Sequence, residues 1–186
     1  MKEERKKIIK EKAGEMGHID CHYLPKGMIE NDSNRYYLVG LIDDASRIAW
    51  VDIVKDIKAL TVMFSTLGIL NMFKSKYDIS FDEILSDNGA EIGSGKKIDN
   101  IEKHPFERLL FELGIKHRYT RPYRPQTNGK IERFWKTLND DLLEDYVFAS
   151  MEEFEKDLAQ YLLYYNEYRA HSSLGGKTPK EFRESC

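Results

Sequence analysis

At 186 residues the chain is long enough to bury a core as one domain without covalent staples. A net charge of −3 excludes a whole-molecule polycation, so any contact with a polyanion has to rest on where charges sit rather than on their sum. Two cysteines, Cys21 and Cys186, exclude a disulfide framework, and no apolar run is long enough to span a membrane.

Residues 1–16 are charged and read as a linker or frayed helix leading from something upstream. No apolar stretch follows the basic start, so it is not a secretory signal, and the expected location is cytoplasmic. From Gly17 to Leu24 a short β-compatible segment runs up to Pro25, and residues 25–34 are rich in turn formers. The near-continuous apolar run 35–42 predicts a buried strand, Asp43–Ser46 a turn, and 47–54 a third strand. Together these predict an antiparallel meander. Leu60, Met63, Phe64, Leu67, Leu70 and Phe73 recur at helical spacing, which predicts a long helix over 57–77 with those residues buried. Residues 81–86 predict a fourth strand lying parallel beside the first after a crossover. A polar loop is expected over 91–104, a helix from Pro105 to Leu113 stopped by Gly114, and a short fifth strand over 115–119.

Residues 121–138 are the chemically distinctive stretch. A proline-broken loop (Arg121-Pro-Tyr-Arg-Pro-Gln-Thr) turns at Asn128-Gly129 into a periodic helix whose buried stripe is Ile131, Trp135, Leu138 and Leu142. Between Lys116 and Lys136 seven Lys/Arg accompany a single carboxylate, Glu132. Such a stripe is either a solvated face or a phosphate-contacting surface, and its Pro/Tyr interleaving favours the second, with Arg121, Arg124, Lys130, Arg133 and Lys136 as contacts. Ser150-x-x-Glu153 predicts a capping box opening a last long helix, which buries Phe154, Leu158, Tyr161, Leu162 and Tyr165. The whole predicts an α/β fold around a mixed five-stranded sheet, three strands antiparallel and two parallel, flanked by helices.

Three acids stand at pointed places. Asp20 lies mid-strand between Ile19 and Cys21, Asp87 at the end of the fourth strand, and Glu132 in the first turn of the late helix. Adjacent first and fourth strands would let all three converge. An all-oxygen set of this kind suits hard divalent cations, and two ions a few ångströms apart would serve in-line phosphoryl transfer. Each acid also has a plainer reading. Asp20 could pair with a base, Asp87 could simply form the Asp-Asn-Gly turn, and Glu132 could pair with Lys136 one turn on. A zinc site from His18 and His22 would need Cys/His partners that the spacing does not supply.

Ile19-Asp20, Ser86-Asp87-Asn88-Gly89 and Pro125-x-Thr-Asn128-Gly129-Lys130-x-Glu132-Arg133 together resemble the integrase catalytic core, the D,D,E module of retroviral integrases and bacterial insertion-sequence transposases. The segment Leu41-Ile-Asp-Asp-Ala-Ser-Arg47 and the tail Tyr165-Asn-x-x-Arg-x-His-x-Ser-Leu174 with Thr178-Pro179 resemble the bacterial branch. The resemblance covers 17–182 as a catalytic core, leaving 183–186 as a tail. It implies a ribonuclease H-like fold, Asp20, Asp87 and Glu132 as catalytic and metal-binding acids, and Mg²⁺ or Mn²⁺ as cofactor. It further implies a polynucleotidyl transferase that cleaves DNA at element ends and joins the freed 3′-hydroxyl to target DNA, working as a dimer or higher oligomer on DNA. Asn128, Lys130 and Lys136 match positions near the DNA end. One departure stands out: 44 residues lie between Asp87 and Glu132, more than is usual in the family, and the polar loop 91–104 accounts for the excess as an insertion. The alternatives are a ribonuclease H-like nuclease that only hydrolyses and a catalytically idle DNA-binding or assembly module. No helix-turn-helix or zinc knuckle is legible, so recognition of element ends is expected in a separate, upstream domain.

Overall fold

The computed structural model describes residues 10–89, 91–93, 104–120, 128–144 and 146–185. Five strands, β1 (Gly17–Tyr23), β2 (Tyr37–Asp43), β3 (Ala49–Val54), β4 (Glu83–Ser86) and β5 (Lys116–Tyr119), form one sheet in the order β3-β2-β1-β4-β5. The first three pair antiparallel, while β4 lies parallel to both β1 and β5, which is the expected mixed sheet. Among the described residues the α-helices are α1 (Ala59–Tyr77), α2 (Pro105–Glu112), α3 (Gly129–Leu138), α4 (Met151–Glu167) and α5 (Pro179–Glu184). No helix among the described residues is long and apolar enough to cross a membrane.

Strand alternation splits the core into two layers. Ile19, Val39 and Leu41 point to one face and pack with Val62, Ile69, Phe73, Phe106 and Leu110 of α1 and α2. Leu38 and Ile42 point to the other, against Ile131, Phe134, Trp135, Leu138 and the inner stripe of α4. Residues 10–16 are tied into this body: Gly14 N–H donates to Asp43 Oδ1 at 2.8 Å, and Met16 is fully buried.

α1 departs from the expected face. It buries Val62, Ser65, Thr66, Ile69, Leu70, Phe73 and Tyr77, while Leu60 and Phe64 are 57% and 65% exposed. A helix apolar on most sides gives no periodic signal that selects one face, and small Ser65 and Thr66 are the side chains that let it approach the sheet closely. In α3 the expected Leu142 is only partly buried, and Leu143 takes the inner place. The helix widens after Leu138 into a turn in which Glu144 N–H bonds Asn139 O at 2.8 Å. That extra residue per turn swings Leu143 inward.

α4 buries all five residues expected of it. Its cap is a variant box: Ser150 Oγ accepts from Glu153 N–H, but the Glu153 carboxylate reaches Ala149 N–H instead of Ser150. The tail motif turns out to be packing chemistry. Asn166 accepts from Ala49 N–H at 2.9 Å and donates to Ala49 O at 2.8 Å, sealing part of the edge of β3 against α4. Tyr165 packs edge-on against Phe134 and His171, Arg169 pairs with Asp141 at 2.5 Å, and Thr178 closes a complete capping box with Glu181 before Pro179.

Candidate active site

β1 and β4 pair with Gly17 opposite Ile84 and His18 opposite Leu85. Continuing that register past the last paired residues puts Asp20, midway along β1, level with Asp87, the residue that follows β4. Asp87 is exposed and its Oδ1 accepts from Gly89 N–H at 2.9 Å, so turn and exposed acid coexist in one residue. Glu132 is exposed in the first turn of α3, which packs against β1 and β2. The i,i+4 ion pairs among the described residues are Lys74–Asp78 and Arg108–Glu112; Glu132 and Lys136 do not form one.

Asp20 feels its surroundings strongly. Burial first, then the nearby charges of Asp87 and Glu132, raise its carboxyl to about 6 against the lowering bond from the Trp135 indole N–H. Asp87 and Glu132 are thus both within electrostatic reach of Asp20. As carboxylates left in mutual repulsion they suit a hard divalent cation by donor chemistry. Among the described residues, no three His, Cys, Asp or Glu side chains are drawn together tightly enough to form a finished ion site.

Sequence reasoning missed what holds these acids. Trp135 Nε1–H donates to Asp20 Oδ2 at 2.9 Å, linking α3 to β1, and the indole stacks on His22 at 4.9 Å between centroids. The ring lies over Gly40, the residue paired with Asp20: a Cβ there would come within 2.5 Å of the indole. A glycine inside an apolar strand was the available signal. Burial lowers the pKa of His22 against a weaker opposing bond from Asn139. Glu91 lies near enough to Cys21 to raise its thiol, after burial, together with Asp20 and Asp87, so a further acid borders the site.

Two polar networks flank the acids, one part-buried and one buried. On the β4 side, Ser86 Oγ donates to Asp87 O at 2.8 Å, and His117 Nε2 lies 2.8 Å from the same hydroxyl. His117 Nδ1 is 2.9 Å from Glu107 Oε1, to which the Tyr119 hydroxyl also donates. Burial would raise Glu107, but the bonds from His117 and Tyr119 outweigh it and hold its pKa low. On the α3 side, His18 Nε2 donates to Asp44 Oδ1 at 2.7 Å, its Nδ1 meets the Asn128 amide oxygen at 3.1 Å, and the Lys130 ammonium contacts Asp44 Oδ1. Burial would raise Asp44, yet His18 and Lys130 hold it down at about 2. With both histidines so engaged, neither belongs to a zinc site among the described residues.

Of the basic residues expected on DNA, Arg133 and Lys136 are exposed on the side of Glu132. Asn128 is buried and Lys130 half-buried, facing Asp44. Arg121 and Arg124 lie outside the described residues.

Residues 113–179 match the integrase core domain family. The chain is similar to integrases and insertion-sequence transposases. It is 28% identical over 140 residues to the transposase InsD of the insertion element IS2 group from Escherichia coli, covering 75% of this chain and 44% of that protein. It is 32% identical over 80 residues to the transposase for insertion sequence element IS904 of Lactococcus lactis, covering 42% of this chain and 32% of that one. Similarity to the ORF3 protein of Spiroplasma virus SpV1-C74 runs the full length, 27% identical, but this chain spans only 52% of that protein. In fold the chain is ribonuclease H-like. The catalytic core of BIV integrase superposes with a TM-score of 0.61 at 21% identity, covering 92% of this chain and 95% of that one. The HTLV-2 integrase core, solved in complex with magnesium in a dimeric form, gives 0.60 at 15% identity, covering 97% and 100%.

Proposed function

We propose that this chain is the catalytic core of a DNA transposase or integrase, a polynucleotidyl transferase using Asp20, Asp87 and Glu132. The observation that supports the reading is that the charges of Asp87 and Glu132 both act on Asp20, whose carboxyl is raised mainly by burial, while β1 and β4 lie parallel as neighbours. Kinship with integrases and transposases supports it. So does the likeness to an HTLV-2 integrase core solved with magnesium.

Mg²⁺ or Mn²⁺, two ions in the working site, would be held by the three acids, and when bound would activate the attacking oxygen and stabilise the leaving one. The chain's own contributions are positional. In this reading β1 and the end of β4 would present Asp20 and Asp87 side by side and α3 would bring Glu132 to them, while Trp135 holds the Asp20 carboxyl through one bond. Arg133 and Lys136 lie on the Glu132 side, where they would hold phosphates of element-end or target DNA without reading sequence. A second copy is the proposed protein partner: α1 leaves Leu60 and Phe64 uncovered, and HTLV-2 integrase cores are described in dimeric and trimeric forms.

Calorimetry with Mn²⁺ on wild type and on Asp87→Asn, Asp20→Asn and Glu132→Gln tests the reading. Binding in wild type that is lost in each variant, with nicking and strand transfer on a DNA duplex, is the expected result. Nicking without strand transfer would mark a hydrolytic nuclease, and folded wild type that binds no metal on or off DNA would leave a binding module.

A further inference from the structure

Lys130 sits two residues before Glu132 in a basic stretch, yet its ammonium is turned toward a fully buried carboxylate, Asp44. Asp44 is also the acceptor for His18, two residues before Asp20 on β1, and for the backbone N–H of Lys10. His18 in turn meets Asn128, the residue that opens α3. One buried carboxylate therefore receives a donor from the strand carrying Asp20 and a donor from the helix turn carrying Glu132. A solvated or DNA-facing lysine has no need of such a partner, and a buried carboxylate without one would be costly.

We infer that Asp44, His18 and Lys130 form a clamp that sets the first turn of α3 against β1, and that Lys130 is a positioning residue for the Glu132–Asp20 pair rather than a phosphate contact. The role given to those two acids rests on the proposed function; the clamp itself does not. Its geometry explains why a histidine, an aspartate, an asparagine and a lysine, distant in sequence, occur at these places. The Asn128 and Lys130 side chains are used inside the protein, leaving Arg133 and Lys136 to face outward. Asp43, next to Asp44, is occupied separately by Gly14 and Ser46, so the two acids do not share a partner among these bonds.

Trp135 supplies a reporter that needs neither metal nor DNA. Its indole N–H is bonded to Asp20 across the α3–β1 contact, and Trp50 on β3 is the other tryptophan. Proton–nitrogen NMR on Lys130→Met, Asp44→Asn and Lys130→Arg, with Trp50→Phe for assignment, reads whether α3 is still seated. In the first two, exchange of the Trp135 indole proton is expected to speed on the order of tenfold while that of Trp50 is unchanged, with Lys130→Arg restoring most of the protection. Half-saturation by Mn²⁺ is expected to rise about tenfold in the same variants, as for supporting residues around a metal site. Should a single variant fail to fold because it strands a buried charge, the double variant Asp44→Asn/Lys130→Met removes both charges together. It is expected to be no worse than the poorer single, as for residues acting through each other. An unmoved Trp135 signal in folded Lys130→Met or in the double variant overturns the clamp. Absence of Mn²⁺ binding by wild type, with the indole response intact, would instead overturn the proposed chemistry and leave the clamp standing.

Discussion

Gly40→Ala places a methyl group where the Trp135 ring now lies. The added Cβ would sit 2.5 Å from Cζ2, and no farther from Cη2, of an indole that is only 4% exposed, so ring or strand must move. Overpacking of this kind costs about 1–3 kcal/mol. Replacing a strand glycine returns up to about 1 kcal/mol through the unfolded chain. The net expectation is a loss of about 1–2 kcal/mol, or roughly 2–8 °C in Tm for a domain of this size. A second effect follows from the same displacement. The indole N–H lowers the pKa of Asp20, so pulling it away moves that carboxyl upward from about 6. Thermal denaturation and carboxyl-carbon NMR titration read the two effects. Gly68→Ala is the control: nothing lies within 4 Å of its added Cβ, and a mid-helix change there should stabilise by about 0.5–1 kcal/mol. Gly40→Ala with wild-type Tm and an unshifted Asp20 would refute the account of the indole seat.

Asp20 also predicts a pH dependence of stability. The folded state keeps its proton up to about 6 and the unfolded chain releases it near the ordinary carboxylate value, so between about 4 and 6 stability falls as pH rises, then levels. Asp20→Asn should abolish that slope and gain up to about 3 kcal/mol at neutral pH in urea denaturation. The Asp44 contribution has the opposite sign and lies lower: present at neutral pH, it is lost as pH falls below about 4 towards 2. Asn166→Ala should cost about 2–4 kcal/mol, since it breaks two bonds and leaves the Ala49 N–H and C=O without those partners in a buried place, as urea midpoints would show. In titrations of duplex DNA, Lys136→Ala should reduce the slope of log affinity against log salt by about 1, whereas Lys130→Met should leave it unchanged.

Much of the fold is legible because local pattern encodes it. Alternation and apolar runs mark the five strands, Pro105 and Gly114 bracket α2, and the periodic stripe of α4 holds in full because that helix has one apolar face. The stripe of α1 misleads for the converse reason: Leu60 and Phe64 carry the same periodic signal as Leu70 and Phe73, and only the sheet chooses among them. The three acids stand out by their places in short motifs, before any contact is known. Their supports do not. Asp44 and Lys130, Trp135 and Asp20, Asn166 and Ala49 are each far apart in the chain, and each pair is made by the β1–β4 crossover or by helices laid across the sheet. The sequence by itself determined the elements and the chemistry-bearing residues, since these depend on period and on residue type. The tertiary structure alone decided which lysine faces a buried carboxylate and which faces solvent, because a side chain's partner is set by the packing of distant segments and not by its neighbours in the chain.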